Sequence, residues 1–334
     1  MKKKIVDTNY LYITARIRSL ERSLLSNARM ERMLEARSDE DALKVLSECG
    51  YGEVTVTSAE ELELILSETR DSMLSTLERI APDRALIKVF RTKYDYHNLK
   101  ALLKSEALSL DAQPLLIDSG RIQAKALFDM IRQDDLRNMP NAMRNAAVDA
   151  RELLSRTGDP QLSDVLLDHA CFKEMREMAK EAQSKFLIGY VKLFIDAANL
   201  RAIIRALRIG YATDFIRGIL AAGGNINPTR LFSVIVSGSS LAEFYTGTLL
   251  EEAAATGTPA IQGDTPLTMF ERLCDEALIK YMKASKLVAF GDQPLIGYIA
   301  AREAEFIAIR TIMSGRKAGV SRDVLRERLR DAYV

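Results

Sequence analysis

Apolar residues along this chain recur at helical rather than strand spacing. Ile13, Ile17, Leu20 and Leu24 follow one another at steps of four, three and four, which places them on one face of a helix. Arg16, Arg18 and Arg22 fall mainly off that stripe. Helix starts are marked at Ser58, with Glu61 three residues on in a capping-box pattern, and at Asn227-Pro228 and Thr265-Pro266, each a cap followed by a first-turn proline. Arg205 and Arg208 form a basic last turn ahead of Gly210, a glycine suited to the left-handed conformation that ends many helices. The strongest strand-like run, Val54-Thr55-Val56, is short and abuts the Ser58 cap, so it is expected to be loop. Ala222 to Pro228 and Thr256 to Pro266, rich in glycine and closed by proline, are expected breaks between helices. The pattern predicts an all-α fold.

The same pattern repeats. Asp95-Tyr96-His97-Asn98-Leu99-Lys100-Ala101-Leu102-Leu103-Lys104 returns as Asp196-Ala197-Ala198-Asn199-Leu200-Arg201-Ala202-Ile203-Ile204-Arg205, an offset of 196 − 95 = 101. A weaker third copy runs from Glu305 to Ser314, offset 305 − 196 = 109. It keeps the acid, the apolar positions and a basic residue, Arg310, but carries Ala308 where the asparagine stood. Other landmarks follow in order: Leu127-Phe128 and Leu231-Phe232, Gly158-Asp159 and Gly263-Asp264, Gly189-Tyr190 and Gly297-Tyr298. A period near one hundred residues is too long for a solenoid, and each unit is large enough for its own small core. Three helical units are therefore expected, provisionally 1–112, 113–213 and 214–334, each with its signature helix near its end.

On the signature helix, Asp95 and Asn98 lie three apart beside an apolar stripe, so the amide is expected to be buried and to need partners for both donor and acceptor. Asp95, Asn98, Asp196, Asn199 and Glu305 are read as structural residues that tie a neighbouring loop or helix to the bundle. Lys100 and Lys104 form an i,i+4 pair on another face, as do Arg201, Arg205 and Arg208; with Arg310 they are candidate contacts for acidic groups of a partner, against the plainer reading of a solvated basic face.

Composition narrows the function classes. Forty-seven basic residues balance 46 acidic ones, a net charge of +1 that gives no field toward nucleic acid or anionic lipid. Three cysteines, Cys49, Cys171 and Cys274, without CxxC spacing suggest neither a disulfide framework nor zinc. The basic start Met1-Lys2-Lys3-Lys4 is followed by Asp7, Arg16 and Arg18, which interrupt any signal-peptide core. The apolar run Phe186 to Leu200 carries Lys192 and Asp196 and is short of a bilayer span. The glycine cluster Gly218 to Gly224 lacks the Lys and Ser/Thr of a phosphate-binding loop. His97 reads as a helix-surface residue, and His169 and Cys171, two apart on a helix, point about 200° from one another and cannot form a catalytic pair. No cofactor, metal or nucleic acid is expected, and an interaction protein remains.

Arg91-Thr92-Lys93-Tyr94-Asp95-Tyr96-His97-Asn98-Leu99-Lys100, the opening Tyr10 to Arg18, Phe194 to Arg201 and the closing Tyr298 to Gly319 resemble segments of the C subunit of the V-type and A-type rotary ATPases, a family homologous to the eukaryotic d subunit. The resemblance covers essentially the whole chain. It implies three helical lobes in a funnel of pseudo-threefold symmetry, peripheral on the cytoplasmic face of the membrane and touching it only through the proteolipid ring. There the funnel would receive the central stalk and pass torque without chemistry of its own. An all-helical scaffold of another assembly, or a helical enzyme with an unrecognised polar pocket, are the competing readings.

Overall fold

A computed structural model describes residues 5–55, 58–263 and 265–334. The basic run Met1 to Lys4, Val56 of the strand-like run and Asp264 of one repeat landmark lie outside the described residues. Among the described residues there are helices and no strand: α1 (Leu11–Glu21), α2 (Asn27–Glu35), α3 (Asp39–Glu48), α4 (Ala59–Ile80), α5 (Ala85–Leu108), α6 (Ala124–Arg132), α7 (Asn141–Thr157), α8 (Pro160–Glu181), α9 (Lys185–Ile209), α10 (Thr213–Ile219), α11 (Pro228–Val236), α12 (Leu241–Phe244), α13 (Glu251–Gln262), α14 (Leu267–Lys283), α15 (Asp292–Lys317) and α16 (Arg322–Arg328). The fold is all-α.

Most of the expected punctuation is present. Ser58 and Glu61 form a reciprocal capping box at α4, Asn227 caps α11 ahead of Pro228, and Gly210 ends α9 at φ 84°. Two details differ. Pro266 itself takes the cap position of α14, at φ −64° and ψ 140°, so Thr265 stands outside the helix. The expected break at Thr256 to Pro266 is shorter than predicted, because α13 runs on to Gln262 through Gly257 and Pro259. Packing supplies the reason: a Cβ on Gly257 would stand 2.8 Å from the Phe270 ring and 3.1 Å from Ile204, so the glycine lets α13 lie close against α14 and α9. Tertiary contact outweighs the weak helix propensity of glycine.

The signature segments lie in α5, α9 and α15, the three longest helices, which carry buried residues on most of their faces and are therefore central. Each packs against a long antiparallel neighbour. Lys100 and Lys104 of α5 pair with Asp168 and Asp164 of α8, and Arg201 and Arg205 of α9 pair with Asp275 and Glu271 of α14; the reversed numbering along each ladder fixes the direction. α15 pairs with α4 through Arg310 and Glu63. Three apolar clusters underlie these packings. One joins α5 to α8 and the first halves of α9 and α15, a second joins the latter half of α9 to α10–α14, and the third joins the latter half of α15 and α16 to α2, α3 and the start of α4. The third cluster thus combines early and late parts of the chain. No helix is long and apolar enough to cross a membrane among the described residues.

Candidate functional site

The signature carboxylates and amides are buried, each at 5% exposure or less, and each holds a loop. Asn98 of α5 donates through Nδ2 to the Ile117 carbonyl at 2.8 Å and accepts from the Ile117 amide at 2.9 Å. Asp95 accepts from the amides of Arg121 at 2.8 Å and Ile122 at 3.1 Å, and from the Arg121 guanidinium. In α9 the same device recurs, with loop partners 104 residues further on. Asn199 exchanges two bonds of 2.8 Å with the Ala221 main chain, and Asp196 accepts from the amides of Asn225 at 2.9 Å and Ile226 at 3.1 Å and from the Asn225 side chain at 2.9 Å. A carboxylate flanked by converging N–H groups, and an amide that satisfies both main-chain groups of one loop residue, pair the buried polar atoms of helix and loop with one another.

Close approach makes the clamp possible. A Cβ on Gly120 would sit 2.3 Å from Asp95 Oδ1, and one on Gly224 would sit 2.0 Å from Asp196 Oδ1, so only glycine lets the loop reach a side chain as short as aspartate. Gly224 closes the glycine cluster that lacks phosphate-loop chemistry, and the clamp accounts for it.

The third copy is built differently. Glu305 of α15 accepts from the Leu25 amide at 2.6 Å, from the Tyr51 hydroxyl at 2.6 Å and from the Arg302 guanidinium. Leu25 stands two residues ahead of α2, as Ile122 stands ahead of α6 and Ile226 ahead of α11, so the loop held by the third signature helix lies at the start of the chain. The glycine position is taken by Ser23, and the acid is one methylene longer. Counting back five residues from Leu25 reaches Leu20, the counterpart of Ile117 and Ala221. Leu20 lies within α1, and its carbonyl accepts from the Ser23 amide at 3.1 Å and hydroxyl at 2.8 Å. A helix satisfies its own peptides, so no asparagine is needed and Ala308 suffices.

The carboxyls of Asp95, Asp196 and Glu305 are raised above their ordinary values because burial disfavours the charge, opposed by their cationic or amide partners. The candidate partner-contact cations are engaged within the chain. Lys100 meets Asp168 at 2.7 Å, Lys104 meets Asp164 at 3.0 Å, Arg205 meets Glu271 at 2.9 Å, and Arg201 and Arg310 pair with Asp275 and Glu63. Arg208 donates to the Ala260 carbonyl at 3.2 Å and the Thr265 carbonyl at 3.3 Å. His169 faces the Ile219 carbonyl at 3.2 Å and Cys171 lies against Met175, so the two do not meet. No group of three or more metal-ligating side chains occurs among the described residues.

The N-terminal halves of the signature helices converge. Phe90 of α5 stacks on Tyr190 of α9 with centroids 5.6 Å apart. Tyr94 and Lys93 of α5 meet Glu303 of α15, the tyrosine at 2.6 Å, and Arg70 of α4 lies between the Tyr94 and Phe306 rings at 5.1 and 4.9 Å. Between them is a cavity of about 120 Å³, lined in part by Lys93, Tyr190, Phe194, Glu303 and Ile307. The sequence pattern does not mark Gly120, Arg121, Arg302 or Tyr51, and it marks Gly224 and Asn225 only as part of a glycine-rich break without phosphate-loop chemistry. A signal for the clamp existed: the offset of 104 that aligns Leu127 with Leu231 also aligns Gly120 with Gly224 and Arg121 with Asn225.

The model of the ATP synthase (C/AC39) subunit family matches residues 13–328. The chain belongs to this family. Among similar curated proteins, the C subunit of the V-type sodium ATPase of Enterococcus hirae is 24% identical over 319 residues, covering 95% of this chain and 97% of that one. The C subunit of the A-type ATP synthase of Methanocaldococcus jannaschii is 24% identical, covering 98% and 88%, and that of the V-type ATP synthase of Thermus thermophilus is 23% identical, covering 96% and 98%. Family membership extends from α1 to α16, so it includes all three clamps.

Proposed function

We propose that this member of the C/AC39 family is the rotor adapter of a V/A-type ATPase, joining the central stalk to the membrane proteolipid ring on the cytoplasmic side. Its part is structural rather than catalytic. The observation that carries the reading is the recurrence of one carboxylate clamp on three central helices within a family match of 13–328. A torque-bearing collar must resist twisting, and buried charge-assisted bonds between helix and loop supply stiffness that surface contacts do not.

In this reading the chain forms three units around a pseudo-threefold axis, the funnel expected of the family. We propose that each unit begins with its signature helix: α5–α8, α9–α14, and α15 and α16 completed by α2–α4. The clamps support this division, since Asp95 and Asp196 hold loops that follow them while Glu305 holds the loop before α2. The basic stripes serve the fold first; Arg205 and Arg208 are exposed on α9, where acidic groups of a partner would compete for them with Glu271 and with the Ala260 and Thr265 carbonyls.

Reconstitution with detergent-solubilised ring and purified stalk proteins tests the adapter role. Binding of both at micromolar concentration is expected. Binding of neither refutes it.

A further inference from the structure

Residues 329–334 follow α16 without regular structure, yet Leu329, Ala332 and Tyr333 are buried. Among the described residues no main-chain to main-chain hydrogen bond joins 330–334 to the rest of the fold. The attachments run through side chains. Arg330 grips Asp275 of α14 with two bonds of 2.9 and 2.7 Å, Asn27 of α2 accepts from the Ala332 amide at 2.9 Å, Tyr333 shares a 2.7 Å bond with Ser285, and Lys286 donates to the Tyr333 carbonyl at 3.3 Å.

The segment runs between two unfilled spaces. Arg330 and Tyr333 line the cavity of about 120 Å³ where α5, α9, α14 and α15 meet, and Arg330 to Tyr333 also line a second of about 20 Å³ beside Leu24, Met30 and Ala304. Empty volume on both sides means that this packing contributes less than a filled core would. Departure would also leave little orphaned charge. Asp275 keeps the Arg201 guanidinium on its other oxygen, and Glu21, which Tyr333 reaches at 3.3 Å, keeps Arg18.

We infer that residues 329–334 form a releasable strap over the seat at which the central helices meet a partner. The occupant that displaces it is a stalk segment with an apolar face bordered by a basic side chain. The apolar face covers Phe194, Leu278, Met282, Ala300 and Ile307, and the cation replaces Arg330 on Asp275. Identification of that occupant rests on the adapter reading; the weak hold of the strap does not.

Two variants test it with the full chain and purified stalk proteins. Asn27→Cys with Ala332→Cys joins strap to α2 across a contact already made, in a background where Cys49, which shares the apolar cluster of Ala332, is replaced by alanine. The oxidised form should bind stalk about tenfold or more weakly than the reduced form, because the competent state is withheld. Arg330→Ala with Tyr333→Ala unlatches the strap and should tighten binding by about threefold or more. Equal binding by oxidised and reduced protein, or no gain on unlatching, overturns the strap and leaves the adapter standing. Failure of the reduced and wild-type proteins to bind stalk at all overturns the occupant assigned here together with the stalk half of the adapter reading.

Discussion

Asn199→Ala removes the amide that satisfies both main-chain polar groups of Ala221, at a site where Asn199 and Ala221 are each 2% exposed. A buried donor or acceptor left unpaired costs about 1–3 kcal/mol. Two such groups, less the desolvation recovered from the lost amide, come to about 2–4 kcal/mol. With a urea dependence of about 3 kcal/mol per molar, the midpoint should fall by about 1 M, read by far-ultraviolet circular dichroism, with the slope unchanged. The same repeat position holds alanine naturally in the third copy, where Leu20 is satisfied within α1. The reverse change, Ala308→Asn, should therefore also destabilise, by about 1–3 kcal/mol, since it buries an amide where no loop peptide awaits it. A cost below about 0.5 kcal/mol for Asn199→Ala would show that the clamp does not hold the loop. Stabilisation by Ala308→Asn would show that the Leu20 main chain still needs a partner and that the third loop is held like the other two.

Gly224→Ala should cost about 1–3 kcal/mol, because its Cβ would stand 2.0 Å from Asp196 Oδ1 and 3.3 Å from the Lys192 carbonyl, and limited proteolysis should then cut first within 220–227; an intact loop at wild-type stability refutes the close approach. Burial raises the Asp196 carboxyl above its ordinary 3.8, so just above that value the folded state keeps a proton that the unfolded chain has released. Its contribution is then fully present below the unfolded value and lost as pH rises through the raised one. Denaturation of wild type and Asp196→Asn from about pH 4 upward should show wild type losing stability relative to the variant, and a parallel course counts against it. Burial also pushes the Cys49 thiol to about 11 and that of Cys274 to about 12, so a thiol reagent should label the native protein about a hundredfold more slowly than the unfolded one at pH 8. Rapid labelling of the native protein refutes the buried placement.

Helix content, most caps and the internal repeat were legible because they depend on short-range spacing, which a linear pattern records. The burial of Asn98 and Asn199 was legible too, since an amide beside an apolar stripe has few alternatives. The loops those side chains hold were harder to see. Gly120 and Gly224 carry no side chain whose chemistry draws notice, and their importance appears only when a carboxylate is found where a Cβ would go. The basic stripes looked free because their partners, Asp168, Asp275 and Glu63, lie on helices distant in sequence.

The third copy shows the division most clearly. The sequence by itself determined an all-α chain with three related central helices and the loss of one asparagine. Only the tertiary structure decided that Glu305 reaches to Leu25, 280 residues away, and that Tyr51 and Arg302 complete its clamp. Periodicity constrains which face of a helix is buried, whereas hydrogen-bond partners depend on which backbone packing brings within about 3 Å, and packing acts across any separation in sequence.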